Sequence, residues 1–104
     1  MYELHRFVNR LIIDGKYQEA LNQLQSVMRT SRADFDVLLD CGYVNSQLDR
    51  WDEALVYFRR ALMAKSLCTD PSQLSFLWYR MGIALMADYE LVAALKAIDQ
   101  AEQL

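Results

Sequence analysis

Apolar residues recur along the chain with helical spacing, in six segments that short polar breaks separate. Apolar positions three or four residues apart form one hydrophobic stripe on a helix, and that stripe must pack against another element. The pattern predicts helices over about residues 3–13, 17–28, 34–47, 51–64 and 72–87, and a sixth from the break at Asp88 to about residue 103. With only three Gly and one Pro, a many-stranded β fold is not expected. The fold class is therefore predicted to be all-α.

One stretch of the sequence occurs twice. DGKYQEAL at residues 14–21 returns as DRWDEAL at residues 49–55. The shift that places Ala20 on Ala54 also places Tyr17 on Trp51, and we call this shift the repeat offset. Self-similarity at a fixed period of this size is the sequence signature of stacked structural repeats.

A second, longer shift aligns Ala54 with Ala94 and Gly42 with Gly82. The additional length indicates an insertion near residues 65–74, which contains the only Pro. We therefore predict one domain over residues 1–104, with repeats at 1–34, 35–68 and 75–104. Each repeat is a pair of helices, and the chain is long enough to bury a core without a disulfide or a metal.

Carboxylates precede several predicted helices. Asp14, Asp49 and Asp88 each stand before the second helix of a repeat, where a side chain can accept hydrogen bonds from free backbone N–H groups. Asp70 and Pro71 form a similar pair, a cap followed by the first helical residue. These positions predict where helices begin.

Small residues recur in both helices of a repeat. Gly42 and Gly82 in the first helices are expected to face Ala54 and Ala94 in the second helices. Small side chains at such a crossing let two backbones approach closely while bulky neighbours fill the remaining volume.

These spacings resemble the tetratricopeptide repeat family, whose unit is a helix-turn-helix with a period that matches the repeat offset. The second repeat carries most of the resemblance. Its matching residues are Leu38, Gly42, Trp51, Ala54, Phe58, Ala61 and Leu62. The chain departs from the family pattern at Val8, Leu91 and Ser66. The resemblance implies a right-handed solenoid of three repeats, six helices in all, with a concave groove built mainly from the first helix of each repeat.

The register of the resemblance assigns side chains to that groove, and large apolar residues dominate the set. The predicted groove residues are Tyr2, His5, Asn9, Ile12, Leu39, Tyr43, Phe76, Tyr79, Arg80 and Ile83. Exposed apolar clusters usually mark interaction sites. The implied ligand is an apolar or amphipathic segment of a partner protein.

Two family activities can be compared with these residues. Tetratricopeptide domains that clamp the acidic C-termini of heat-shock chaperones use basic and amide side chains, of which only Asn9 and Arg80 are present here. Asp40 would repel a carboxylate, so that activity is not expected. The chain also resembles the small tetratricopeptide chaperones of bacterial type III secretion, in GKYQEAL, in its acidic pI and in its size. That resemblance implies a cytoplasmic chaperone that holds a client segment.

The sixth helix offers a second surface. Leu91, Leu95 and Ile98 form one apolar stripe on it. The outermost hairpin of a solenoid has no neighbour to bury its second face, so this stripe predicts a homo- or hetero-oligomer contact. The alternative function is therefore a structural subunit whose repeats mediate assembly.

Charge and composition narrow the remaining classes of function. The formal net charge is −3 and basic residues are scattered, so nucleic acid is not the expected partner, and no apolar run predicts membrane insertion. Cys41 is expected in the core and Cys68 in a loop. His5 is the only histidine, and neither a nucleophile pattern nor a cluster of metal ligands accompanies it. We therefore expect no enzyme, no cofactor and no metal, and a cytoplasmic location.

Overall fold

The computed structural model describes residues 2–30, 34–68, 70–87 and 91–104, except the side chains of residues 2–5, 30, 91, 92 and 94. In these ranges the chain forms six α-helices and no strand, so the all-α prediction is confirmed. The helices are α1 (Tyr2–Ile13), α2 (Tyr17–Thr30), α3 (Phe35–Gln47), α4 (Trp51–Met63), α5 (Pro71–Ala87) and α6 (Leu91–Gln103), with a short 3₁₀ helix at Lys65–Leu67.

Carboxylate caps begin two of the helices. Asp34 Oδ1 accepts a hydrogen bond from the Val37 backbone N at 3.0 Å, which caps α3. Asp70 Oδ1 accepts from the backbone N and the hydroxyl of Ser72, at 3.0 and 2.8 Å, and Pro71 is the first residue of α5. The two bonds from Ser72 lower the pKa of the Asp70 carboxyl. The expected cap at Asp70 is present.

The prediction that Asp49 caps α4 is wrong. The residue before α4 is Arg50, which makes no side-chain cap bond, and Asp49 has a left-handed backbone with φ of 59°. Its counterpart at the repeat offset is Gly15, with φ of 75°. Asp49 therefore acts through its backbone as the turn residue after α3. Asp88 lies outside the described residues.

The turns after α1 and α3 share one hydrogen-bond pattern. Lys16 N donates to Leu11 O at 2.8 Å, and Arg50 N donates to Asn45 O at 2.9 Å. Each is the six-to-one bond of a Schellman motif, which satisfies carbonyls at a helix C-terminus when the next residue is left-handed. The two donors are separated by the repeat offset, and so are the two acceptors, so the sequence period extends to the backbone geometry.

Consecutive helices pack against each other in hairpins. The hairpins α1–α2, α3–α4 and α5–α6 contact one another through α2 with α3 and through α4 with α5, and α3 also touches α5. The radius of gyration is 13.2 Å, close to the ~13 Å of a compact chain of this length. Three helical hairpins thus lie side by side in chain order.

The core consists of two buried clusters, and each crosses a hairpin boundary. The first joins the first hairpin to α3 through Val8, Leu11, Ala20, Leu21, Leu24, Cys41 and Val44. The second joins the other two hairpins through Phe35, Leu38, Leu39, Ala54, Leu55, Phe58, Ala61, Leu77, Met81, Ala84, Leu85 and Ala97. Burial of this apolar surface, at about 25 cal/mol per Å², holds the hairpins together.

Gly42 lies at a close crossing of α3 and α4. A Cβ atom placed on Gly42 would overlap the aromatic ring of Phe58, which is fully buried. The sequence predicted a close approach at Gly42 but expected Ala54 as its partner. The ring of Phe58, one turn further along α4, is the group that requires a glycine.

Among the described residues, no helix combines the length and the apolar character needed to cross a membrane.

Candidate functional site

Residues of three helices, α1, α3 and α5, line an open cavity of about 420 Å³, which we call the groove. It is lined by Asn9, Leu39, Asp40, Ser72, Gln73 and Phe76. These residues come from the first helix of each hairpin, because α3 lies between the hairpins that carry α1 and α5. The lining combines an apolar wall with amide, hydroxyl and carboxyl groups, so it can contact both apolar and polar parts of a ligand.

An aromatic pair and a cation form one wall beside the groove. The rings of Tyr43 and Phe76 lie 5.7 Å apart between centroids, at 47° to each other. The guanidinium carbon of Arg80 lies 4.8 Å from the Tyr43 ring centroid. Such cation–π contact is worth about 0.5–2 kcal/mol, depending on how far water is excluded. The wall is thus preorganised by contacts within the protein.

A polar network holds Arg80 in place. Its Nη2 donates to Ser46 Oγ at 2.8 Å and to Gln47 Oε1 at 3.0 Å. Gln47 Nε2 in turn donates to the hydroxyl of Tyr17 at 3.2 Å, which extends the network from α5 through α3 to α2. Arg80 Nε is buried without a hydrogen-bond partner. The Nη2 group of Arg80 therefore joins α5 to α3.

Two aromatic side chains are exposed along the same face of α5. Phe76 is 41% exposed and Tyr79 is 52% exposed. Together with Ile98 of α6 they line a second open cavity, of about 440 Å³, that adjoins the groove at Phe76. Ser75 beneath them donates to the backbone O of Ala101 at 3.1 Å, which joins α5 to α6. Aromatic side chains lose few rotamers on binding, so they serve well as anchors.

The structure distributes the predicted groove residues over several environments. Asn9, Phe76 and Tyr79 are exposed, and a second set is half-buried, namely Ile12, Tyr43, Arg80 and Ile83. Leu39 lines the groove but is only 5% exposed, and it also belongs to the core cluster shared with α5. The side chains of Tyr2 and His5 lie outside the described part of the structure.

The predicted set did not include Ser46, Ser72 and Gln73, which belong to the site. Ser46 receives the Arg80 hydrogen bond, and it is the counterpart of Ile12 at the repeat offset, so the repeat register could have found it. Ser72 and Gln73 line the groove and lie about one helical turn before Phe76, on the same helical face. Ser72 and Gln73 fall in the predicted insertion near residues 65–74, which the register of the repeats does not cover.

The predicted oligomer face on α6 is described in part. Leu95 is 67% exposed, whereas Ile98 is half-buried and lines the cavity with Phe76 and Tyr79. Ile98 thus lies on the side of α6 that faces Phe76 and Tyr79. The side chain of Leu91 lies outside the described residues.

Neither of the two cysteines lines the groove. Within residues 2–30, 34–68, 70–87 and 91–104 no cluster of three or more metal-ligating side chains occurs. Cys41 is fully buried, and burial, with a smaller effect of the Asp40 charge, raises the pKa of its thiol to about 12. That thiol stays protonated at neutral pH and is a poor nucleophile. Cys68 donates its Sγ–H to the backbone O of Asp70 at 3.1 Å.

No protein-family model matches the chain, and no curated protein is significantly similar to it. Any family assignment therefore rests on the repeat period, the turn geometry and the packing described above.

Proposed function

We propose that the protein is a scaffold of three tetratricopeptide-type repeats, arranged as a right-handed solenoid. Support comes from pairs of positions at the repeat offset that share both conformation and burial. Gly15 and Asp49 are both left-handed, and Ala20 and Ala54 are both fully buried. The contact of α3 with α5 agrees with a solenoid in which the first helices of successive repeats line one wall.

The proposed function is binding of an apolar or amphipathic segment of a partner protein in the groove, without catalysis. The observation that carries this proposal is the exposure of Phe76 and Tyr79 beside an open cavity that residues of three helices line. A partner side chain seated there would remove aromatic surface from water at about 25 cal/mol per Å². No cofactor or metal has a role in it.

An acidic C-terminal peptide is a poor fit to the same groove. Such a ligand needs free cationic donors, and the Nη2 of Arg80 is already bound to Ser46 and Gln47. Asp40 lines the groove and would repel a carboxylate. The apolar ligand is therefore preferred. Within this class we favour a cytoplasmic chaperone of the type III secretion kind, which would shield an apolar client segment.

The test compares Tyr79→Ala with Met63→Ala. Met63 is 86% exposed on α4, so its truncation removes exposed apolar surface outside the groove. The wild-type protein is purified from its native cell, and mass spectrometry identifies the partner that is bound to it. Calorimetry then measures the Kd of each variant for that partner. We expect Tyr79→Ala to weaken binding about tenfold or more, and Met63→Ala to leave it unchanged. Equal affinities for both variants, with folding intact by circular dichroism, would remove the groove as the binding site.

The alternative function is a structural subunit, and the exposure of Leu95 favours it. An exposed leucine on the last helix provides an apolar contact for a second copy or another subunit. Light scattering of the wild type and of Leu95→Asp tests this function. An oligomer that dissociates in the variant supports it, and a wild-type monomer at high concentration excludes self-assembly.

A further inference from the structure

Helix α5 carries apolar side chains on two opposite faces. Its one charged residue is Arg80, on the groove side with Phe76 and Tyr79. At ~100° per residue, Trp78 and Leu85 lie about 180° away from that side. A helix that is apolar all round is normally covered all round. Both faces of α5 instead border an open cavity.

The second face forms the floor of an open cavity of about 630 Å³ between α4 and α6, which we call the outer cleft. Trp78 and Met81 of α5, Leu62 of α4, and Ala93 and Ala97 of α6 make an apolar surface there. The two alanines leave room that larger residues would fill. A cavity of this size accommodates one or two bulky side chains of a ligand.

The rim of the outer cleft is basic. Arg59 extends from α4, and Lys96 and Gln100 extend from α6, all three exposed. Among the described residues, no carboxylate lines the cleft and no ion pair involves either cation. The chain as a whole has a net charge of −3, so this is a local concentration of positive charge. An apolar floor between two cations is complementary to apolar side chains flanked by carboxylates.

We propose that the outer cleft is a second docking surface, which binds a helical segment of a partner protein that has apolar anchors and acidic flanks. The apolar anchors would cover Trp78, and the carboxylates would lie within reach of Arg59 and Lys96. This surface is independent of the groove, because it uses the opposite side of α5. The protein would then hold two segments at once.

Fluorescence of Trp78 tests the proposal. The chain has two tryptophans, so Trp51→Phe leaves Trp78 as the single reporter. The probe is a synthetic alanine-based helical peptide with Leu and Phe anchors at positions i and i+4 and Glu at the positions that flank them. We expect binding with a blue shift of the Trp78 emission. Affinity should fall as NaCl rises from about 0.05 to about 0.5 M, since salt screens exposed charges.

Charge reversal identifies the binding surface. In the double variant Arg59→Glu, Lys96→Glu the Kd for the peptide should rise about tenfold or more, whereas Arg29→Glu, an exposed reversal on α2, should leave it unchanged. Tyr79→Ala should also leave it unchanged, which separates this result from any result on the groove. A peptide with Lys in place of Glu should not bind.

Three outcomes would overturn the proposal: no change in Trp78 emission with the acidic peptide, equal binding of the Lys peptide, or an unchanged Kd in the double variant. Light scattering without peptide tests whether a second copy of the chain occupies the cleft instead. A dimer that the double variant abolishes would assign the cleft to a second copy of the chain and would likewise overturn the proposal.

Discussion

The first hairpin and the second hairpin have the same turn but fill the space between their helices differently. At positions related by the repeat offset, the first hairpin has Val8 and Leu24 and the second has Gly42 and Phe58. All four residues are buried. In one hairpin two medium-sized side chains share the space, and in the other an aromatic ring takes nearly all of it. The combined volume of the two facing side chains, rather than the size of either one, therefore determines whether this crossing is well packed.

The two hairpins also differ in what covers them. Phe7 on α1 is 48% exposed, whereas its counterpart on α3, Cys41, is fully buried in the cluster that joins the first hairpin to α3. The second hairpin lies between two others, so both of its faces are covered. The same register position can thus be surface in one repeat and core in the next.

The largest expected effect comes from enlarging Gly42. In Gly42→Val the new side chain would overlap the buried ring of Phe58, which has no free space to move into. We expect a loss of about 3 kcal/mol in the free energy of unfolding, measured by urea denaturation. Val has a better helix propensity than Gly, but this offsets only a few tenths of a kcal/mol of that loss.

A double-mutant cycle decides whether volume at this crossing is shared. Adding Phe58→Leu to Gly42→Val recreates the side-chain pair of the first hairpin. The double variant should be more stable than the sum of the single changes by about 1–3 kcal/mol. The reciprocal pair, Val8→Gly with Leu24→Phe, provides the matched control in the first hairpin. Additive effects in both hairpins would contradict the shared-volume account.

The stability of the protein at alkaline pH should reflect the burial of Cys41, whose counterpart Phe7 is exposed. The pKa of the Cys41 thiol is about 12 in the folded protein, compared with 9.0 for a free thiol, mainly because burial disfavours the thiolate. Above pH 9 the unfolded chain loses the proton first, so stability falls as pH rises toward 12. The slope is at most about 1.4 kcal/mol per pH unit.

The measurement compares Cys68→Ala, in which Cys41 is the one remaining thiol, with the variant that carries Cys41→Ala as well. Between about pH 8 and about pH 10, the free energy of unfolding should fall about 1.4 kcal/mol further in the variant that keeps Cys41. Other groups titrate in both proteins and cancel in the difference. Parallel pH profiles would show that Cys41 ionises as readily in the folded state as in the unfolded state.

Much of the fold follows from sequence because the apolar period fixes which segments are helical. The predicted and observed helices differ by a few residues at their ends, and the caps at Asp34 and Asp70 mark two beginnings. Asp49 was misassigned because a carboxylate just before a helix has the same sequence signature whether it caps or turns. The left-handed φ of Asp49 and the bond from Arg50 N to Asn45 O distinguish the two.

The candidate site could be predicted less completely. The register identifies which face of a helix a residue occupies, and Phe76 and Tyr79 are exposed in the structure. It does not tell whether another hairpin covers that face. Leu39 occupies the position in the second repeat that Tyr79 occupies in the third, yet Leu39 is buried because the third hairpin packs against α3 there. Coverage depends on contacts between repeats, which a pattern within one repeat does not contain.

The smallest expected effect concerns the turn that both hairpins share. Gly15 and Asp49 have φ of 75° and 59°, a conformation that glycine adopts freely and that strains other residues. We expect Asp49→Gly to raise the free energy of unfolding by about 0.5 kcal/mol, and Gly15→Asp to lower it by a similar or larger amount. Thermal and urea unfolding of the two variants measure both changes.

Asp49→Ala separates backbone strain from charge. Alanine lacks the carboxylate but is strained at positive φ, and it has no side-chain polar group to ease the left-handed conformation as aspartate does. Strain therefore predicts that Asp49→Ala loses stability while Asp49→Gly gains it. If loss of the negative charge were the cause, both variants would change in the same direction. Changes of opposite sign in the free energy of unfolding for the two Asp49 variants, together with a loss in Gly15→Asp, would show that both turns require a left-handed residue. Only the first hairpin has glycine at that position.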